Sequence, residues 1–139
     1  MNKPVIKGNK ITVPSDTQFL TDVDVFIEGI LRGYGASESL IADIAISVSE
    51  LVNNAITHGN KTSTQKEVEV EINKNGNDVV IAVADQGGGF NPEEVDDPLA
   101  EENLLKEVGR GIFIVRSLMD KVEIKPNTHG TTVTITKAI

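Results

Sequence analysis

Residues 46–60 read ISVSELVNNAITHGN, and the placement of this stretch decides both the fold and the site. Taken as part of one long helix, it sets Ile41, Ile44, Ala45, Val48, Leu51, Val52 and Ala55 at three- and four-residue steps, a broad apolar stripe. Asp43, Ser47, Glu50, Asn54 and His58 form a polar ridge away from the middle of that stripe. Glu50 and Asn54 are four residues apart, so their side chains stack one turn above the other and can meet one ligand. A carboxylate offers a base or a metal ligand, and an amide oxygen offers a hard neutral ligand of the kind Mg²⁺ accepts.

Working outward, the helix starts at Ser37, a capping residue, with Glu38 in the first turn where the helix dipole favours negative charge. It is expected to end at Gly59-Asn60 in a left-handed stop. Before it, Ser15 or Asp16 caps a helix running to about Gly33, with Phe19, Val23, Phe26, Ile27 and Ile30 on its buried side. A short strand at 10–13, closed by Pro14, precedes that helix. After the long helix, Val68, Val70 and Ile72 alternate with Glu67, Glu69 and Glu71, a strand with one wet face. Asn75-Gly76-Asn77 is a hairpin turn, and the more evenly apolar strand 78–85 should lie deeper in the sheet. A helix pattern returns from Gly109, and two strands near 122–124 and 131–136 close the chain. Strands and helices do not alternate singly. The expected fold class is therefore α+β: a two-layer α/β sandwich with a mixed, mostly antiparallel sheet and helices on one face.

The 139 residues suffice for one domain with one core, so residues 1–139 are taken as a single unit. With no Trp, one Tyr and four Phe, that core must be aliphatic. A formal charge of −8 argues against nucleic acid as the main partner, because a phosphate backbone requires a basic surface. It leaves room for a nucleotide, whose few phosphates can be held by backbone N–H groups and one metal ion. The absence of cysteine excludes disulfides, thiolate zinc sites and thiol nucleophiles. No signal-like apolar region follows the first residues and no run is expected to span a membrane, so the cytoplasm is the default compartment.

Two glycine motifs add chemistry. Asp85-Gln86-Gly87-Gly88-Gly89-Phe90 ends a buried strand with a carboxylate, which something must satisfy there. Gly87 and Gly89 let a flat ligand approach the main chain. Gly109-Arg110-Gly111-Ile112 is expected to open a helix, presenting free N–H groups and positive dipole to phosphate, with Arg110 adding charge-assisted hydrogen bonds. The acidic stretch before it, about 91–108 with Pro92 and Pro98, is the expected lid over a bound nucleotide.

In order and identity these motifs resemble the GHKL (Bergerat) ATPases. The Glu, Asn and His-Gly of that family's N box match Glu50, Asn54, His58 and Gly59; its first glycine box matches Asp85, Gly87 and Gly89. Its second glycine box matches Gly109, Gly111 and Ile112, and its closing Gly-Thr matches Gly130 and Thr131. The stretches VSELVNNAITHGN, GRGIFIVRSLMDKVEI and GTTVTI are more similar still to the anti-sigma-factor serine kinases. That resemblance implies Asn54 as the ligand of a Mg²⁺ bridging the ATP phosphates, and Asp85 as acceptor for the adenine amino group with Thr131 assisting. It implies Gly87 and Gly89 around the adenine, Gly109 to Ile112 around the phosphates, and Glu50 as general base on a partner's serine hydroxyl. The implied partners are a small antagonist protein as substrate and a sigma factor or other regulator to be sequestered, with no nucleic acid and no membrane, and a homodimer is compatible with it. His58 receives no catalytic role. The chain departs from the family on its first helix, which carries Asp22, Asp24 and Glu28 and no arginine in its first half. Members of the family contact partners through a basic residue on that helix, so partner choice is the open point. The alternative reading is a non-catalytic ATP-binding regulatory module, which has no need of a base one turn from the metal ligand. A detached histidine-kinase catalytic domain is disfavoured, because no phospho-accepting helix accompanies it.

Overall fold

The computed structural model describes residues 3–63, 65–87 and 102–139, without the side chains of 102–109. Six strands, β1 (Val5–Lys7), β2 (Lys10–Pro14), β3 (Glu67–Asn75), β4 (Asp78–Ala84), β5 (Lys121–Asn127) and β6 (Gly130–Ala138), form one sheet in the order β1-β2-β3-β4-β6-β5. Every neighbouring pair is antiparallel, so the expected mixed character is absent among the described strands. The edge strand β1 had no sequence signal of its own.

Register explains which face is buried. Ile11 pairs with Val70 and Val70 with Val83, while Ile72 pairs with Ile81 and Ile81 with Ile135. Because side chains alternate across a strand, these pairs place Ile11, Val70, Ile72, Ile81, Val83 and Ile135 on one face. The other face carries Lys10, Glu69, Glu71, Glu123 and Lys125, with Lys10 facing both Glu69 and Glu71 at 3.9 Å and Lys121 contacting Glu123 at 2.7 Å. As expected, β4 lies inside the sheet, between β3 and β6.

Three helices cover the apolar face: α1 (Leu20–Gly33), α2 (Glu38–Asn54) and α3 (Glu102–Leu118). The middle helix, α2, touches α1 on one side, α3 on the other and β4 beneath. Asp16 caps a short 3₁₀ turn, Thr17–Phe19, that leads into α1, its Oδ1 accepting from the Gln18 N–H at 3.0 Å. In α1 it is Val23, Ile27 and Leu31 that are fully buried, a stripe at four-residue steps, while Phe19, Phe26 and Ile30 pack at its edge. Ser37 caps α2 by accepting from the Leu40 N–H at 3.2 Å. Ser47, expected on the polar ridge, is instead buried; its hydroxyl is satisfied by the Asp43 carbonyl at 3.0 Å. By length and mean hydropathy (1.3) residues 38–59 would pass for a membrane span, but Ile41, Ile44, Val48, Leu51, Val52 and Ile56 are spent inside this core.

Two helix boundaries differ from the sequence reading. After Asn54 the helix widens into a π turn, Ala55–Gly59, closed by the Asn60 N–H bonding the Ala55 carbonyl at 2.8 Å. Asn60 keeps φ −87°, and the left-handed residues are Lys61 and Thr62, at 52° and 57°. The other boundary is the start of α3. It begins at Glu102, so Gly109 and Gly111 lie inside a helix and their N–H groups are not a free helix start. Residues 102–108, ENLLKEV, are mostly good helix formers and can carry the helix through two glycines that cost about 1 kcal/mol each. Of the expected lid at 91–108, residues 102–108 are thus helix, and 91–101 lie outside the described residues.

Candidate functional site

A cleft opens where the C-terminal end of α2 and its π turn meet α3 and the ends of β4, β5 and β6. Asn54, His58 and Gly59 line it from the helix side, Asp85 and Thr131 from the sheet, and Ile112 from α3. Leu51, Ala55, Val83, Ile124 and Val133 supply apolar walls. An apolar slot with a few convergent polar groups is what a flat, amphipathic ligand such as a nucleobase needs.

Asp85 sits just beyond β4 and is tied down by backbone. Its Oδ1 accepts from the Gly87 N–H at 3.0 Å and the Thr131 N–H at 3.1 Å, and its own N–H donates to the Thr131 carbonyl at 2.9 Å. Its Oδ2 faces Gly59, where any side chain would run into the carboxylate. A side chain at Gly87 would likewise strike the Gly59 carbonyl, and one at Gly130 the Asp85 carbonyl. Three glycines are therefore required by close approach around one carboxylate. Burial pushes the Asp85 carboxyl above the usual carboxylate range, with the Gly87 and Thr131 hydrogen bonds and the Lys66 charge pulling the other way.

Sequence reasoning missed what holds this end of the cleft. The side chain of Asn60, 1% exposed, donates from Nδ2 to Ser15 Oγ at 2.7 Å and to the Glu67 carbonyl at 3.0 Å. Its Oδ1 accepts from the Gln86 N–H at 2.7 Å. Ser15 Oγ donates on to the Lys66 carbonyl at 2.8 Å, and Gln86 Oε1 accepts from the Glu67 N–H at 2.7 Å. One buried amide thus joins the end of β2, the start of β3 and the residue after Asp85. Its partners lie 45 and 26 residues away, so no local pattern announces it. Asn60 had been assigned only the role of a helix stop.

The other end of the cleft is built by α2 against α3. Gly111 approaches so closely that a Cβ there would lie 3.1 Å from both Asn54 Nδ2 and Glu50 Oε2. Asn54 Nδ2 is buried with no hydrogen-bond partner, and among the described residues it is the one such side-chain atom. Leaving a buried amide unpaired costs about 1–3 kcal/mol, so a ligand that satisfies it would recover that penalty. Turning the amide over would present Oδ1 at the same place, so a phosphate oxygen and a metal ion each find a matching atom. The amide oxygen is a hard neutral donor of the kind that fits Mg²⁺ held mainly by nucleotide phosphates, and it leaves the Glu50 carboxylate free to act as a base. Among the described residues no cluster of three or more His, Asp or Glu side chains forms a metal site without such a ligand.

Of the residues singled out from sequence, Asn54, Asp85, Ile112 and Thr131 line the cleft, and Glu50 stands beside Asn54 at Gly111. Gly87 packs on Gly59 at the Asp85 end, and Arg110 is exposed on α3. Gly109 lies within α3 with its surroundings undescribed, and Gly89 lies outside the described residues. His58, given no role, lines the cleft as well.

The chain is similar over most of its length to known proteins. A serine-protein kinase RsbW of Bacillus velezensis is 28% identical over 134 residues, covering 92% of this chain and 83% of its own. RsbW proteins of Oceanobacillus iheyensis and Staphylococcus aureus are 26% and 28% identical, each covering 94% of this chain and 85% and 86% of their own. The fold matches the crystal structure of the RsbU and RsbW domains of a Mycobacterium tuberculosis protein, with a TM-score of 0.70 and 24% identity over 99% of this chain and 32% of that one. The model of the histidine kinase-like ATPase domain matches residues 13–137. With that match spanning β2 to β6 and both ends of the cleft, the chain belongs to the histidine kinase-like ATPase domain family.

Proposed function

We propose that this chain is a serine protein kinase that uses ATP and Mg²⁺ to phosphorylate a small antagonist protein in the cytoplasm. In this reading it also sequesters a sigma factor or a comparable regulator. The observation that carries the proposal is the pairing of an unsatisfied buried amide, Asn54, with a carboxylate, Glu50, both against Gly111. A pure binding module explains the amide but has no use for the base. The names of the RsbW relatives and the motif resemblance support the same assignment.

The roles are those that the resemblance implies, and the chemistry of the residues fits them. Asp85 Oδ2 accepts from the adenine amino group while Oδ1 stays occupied by Gly87 and Thr131. Gly87 and Gly89 flank the base; Gly109, Arg110, Gly111 and Ile112 flank the phosphates. Asn54 would hold the metal, which when bound would supply charge neutralisation to the phosphate oxygens. Glu50 takes the proton from the serine hydroxyl as its oxygen bonds to the γ-phosphorus and the bond to the departing ADP oxygen breaks.

Glu50→Gln is the test. It keeps shape and reach but cannot take a proton at neutral pH, so single-turnover transfer at saturating ATP should fall by about 10²–10⁴. Nucleotide affinity should change little. Transfer at the wild-type rate would remove Glu50 as base, and a wild type that binds its partner without phosphorylating it would leave a binding module.

A further inference from the structure

Glu50 stands beside one cavity and lines another. Besides standing next to Asn54, it lines an open cleft of about 500 Å³ between α1 and α2. Leu20, Ala42 and Ala45 line this cleft with small or aliphatic side chains, Ile46 stands 48% exposed on one wall, and Asp24 rises on the other. The space suits several side chains of another protein, and Glu50 joins it to Asn54, which lines the nucleotide cleft.

The charge around it is one-sided. Helices α1 and α2 together carry six carboxylates, on Asp22, Asp24, Glu28, Glu38, Asp43 and Glu50, and one basic residue, Arg32. Arg32 is already engaged, with Glu28 at 3.6 Å and Glu38 at 3.5 Å. On the opposite face of the molecule the arrangement differs: Glu69 and Glu71 face Lys10, and Glu123 contacts Lys121 and Lys125. On the helical face Arg32 pairs with Glu28 and Glu38, and neither helix has a second basic residue for Asp24 and Glu50 at the cleft.

We propose that the α1–α2 cleft is the docking site for the acceptor segment of the partner protein, and that this segment is basic. A Lys or Arg would face Asp24 and Glu28, an aliphatic side chain would cover Ile46, and the acceptor hydroxyl would reach Glu50. This inference rests on the kinase reading above and adds the chemical class of the substrate segment. Charge complementarity selects that occupant, since Asp24 and Glu50 line the cleft with no basic side chain among its lining residues, and an acidic segment would be repelled there. The contact between the two α1 carboxyl groups points the same way. Asp24 close by holds the Glu28 carboxyl above its usual pKa, with the Arg32 charge pulling the other way. A cation placed between them would relieve that repulsion.

The test uses three serine peptides that differ only in the residues flanking the serine: Lys-Arg, Gln-Gln or Glu-Glu. Binding to the full chain is measured with Mg²⁺ and a non-hydrolysable ATP analogue, and methyl resonances of Leu20, Ala45 and Ile46 report the location. The Lys-Arg peptide should bind about tenfold more tightly than the Glu-Glu peptide and shift those methyls. Asp24→Lys with Glu28→Lys should reverse the order while leaving stabilisation by the nucleotide unchanged. No binding, no charge preference, a preference that survives the reversal, or shifts confined to other surfaces would each overturn the proposal. Phosphate incorporation from ATP is scored separately: a basic peptide that binds here and is never phosphorylated sustains the docking site and counts against the kinase reading.

Discussion

The two ends of the nucleotide cleft are built on opposite plans. Around Asp85, backbone N–H groups fill Oδ1, Asn60 clamps the neighbouring segments, and three glycines bring main chain into contact. Around Asn54, two helices meet at Gly111 and leave a buried amide with nothing to bond. The first end is finished before any ligand arrives and the second is completed only by one. Under the proposed function, preorganisation at the Asp85 end would favour selectivity for the nucleobase, and nucleotide and metal would make good the unpaired Nδ2 at the Asn54 end. Substitutions at the two ends should therefore separate stability from ligand response.

The largest effect is expected at Gly87. Even a methyl group there collides with the Gly59 carbonyl, and backbone on both sides limits relaxation. Gly87→Ala should cost about 3 kcal/mol or more in the free protein, read from the denaturant midpoint. A substitution within about half a kcal/mol of neutral would mean that the two segments separate easily and that this end is not preformed.

Asn60→Ala comes next. It leaves the Gln86 N–H and the Glu67 carbonyl without their partner and opens space in a buried network. A loss of about 2–3 kcal/mol is expected by chemical denaturation, accompanied by weaker ATP binding because Asp85 follows Gln86. Unchanged ATP affinity in a destabilised Asn60→Ala protein would show that the clamp serves the fold and not the site.

That residue also marks where sequence reading stopped. The period of α2, the alternation of β3 and the glycine motifs are local patterns, and they were enough to place the sheet face, the helical layer and the residues around the cleft. The Asn60 network joins positions 15, 60, 67 and 86, so it exists only once the chain is folded. The early start of α3 was hidden for another reason. Two glycines looked like a helix opening, whereas at Gly111 the glycine is demanded by the approach of α2. Ser47 was misjudged because a hydroxyl can enter a core once a carbonyl of its own helix accepts its proton.

Asp85→Asn should scarcely alter the free protein, since an amide oxygen can still accept from Gly87 and Thr131. It would leave an NH₂ where the adenine amino group needs an acceptor. ATP at a hundred times its dissociation constant should add about 2.7 kcal/mol to the wild type and most of that should vanish in the variant. The pH dependence has a definite sign. Because the folded pKa is raised by burial, this carboxyl stabilises the free protein below its unfolded value near 3.8, and that contribution is lost as pH rises through the folded value. Asp85→Asn should flatten that part of the stability profile in thermal melts. Equal ATP stabilisation of variant and wild type would sink the adenine assignment.

The smallest effect on the free protein belongs to Asn54, and it is the sharpest probe of the contrast. In an ordinary packed site, truncating a buried amide removes hydrogen bonds and costs about 1–3 kcal/mol. Here Nδ2 bonds to nothing, so Asn54→Ala removes an unpaid desolvation along with some packing, and the two should cancel to within about half a kcal/mol. The same substitution should abolish the extra stabilisation that Mg²⁺ gives on top of ATP alone, because the amide is the atom proposed to hold the metal. Melting curves with ATP and a chelator, then with ATP and Mg²⁺, separate the two terms. A strongly destabilised free protein would show that Asn54 is a structural residue with a partner in solution. An undiminished Mg²⁺ increment would move the metal to another ligand, and the two ends of the cleft would no longer differ in kind.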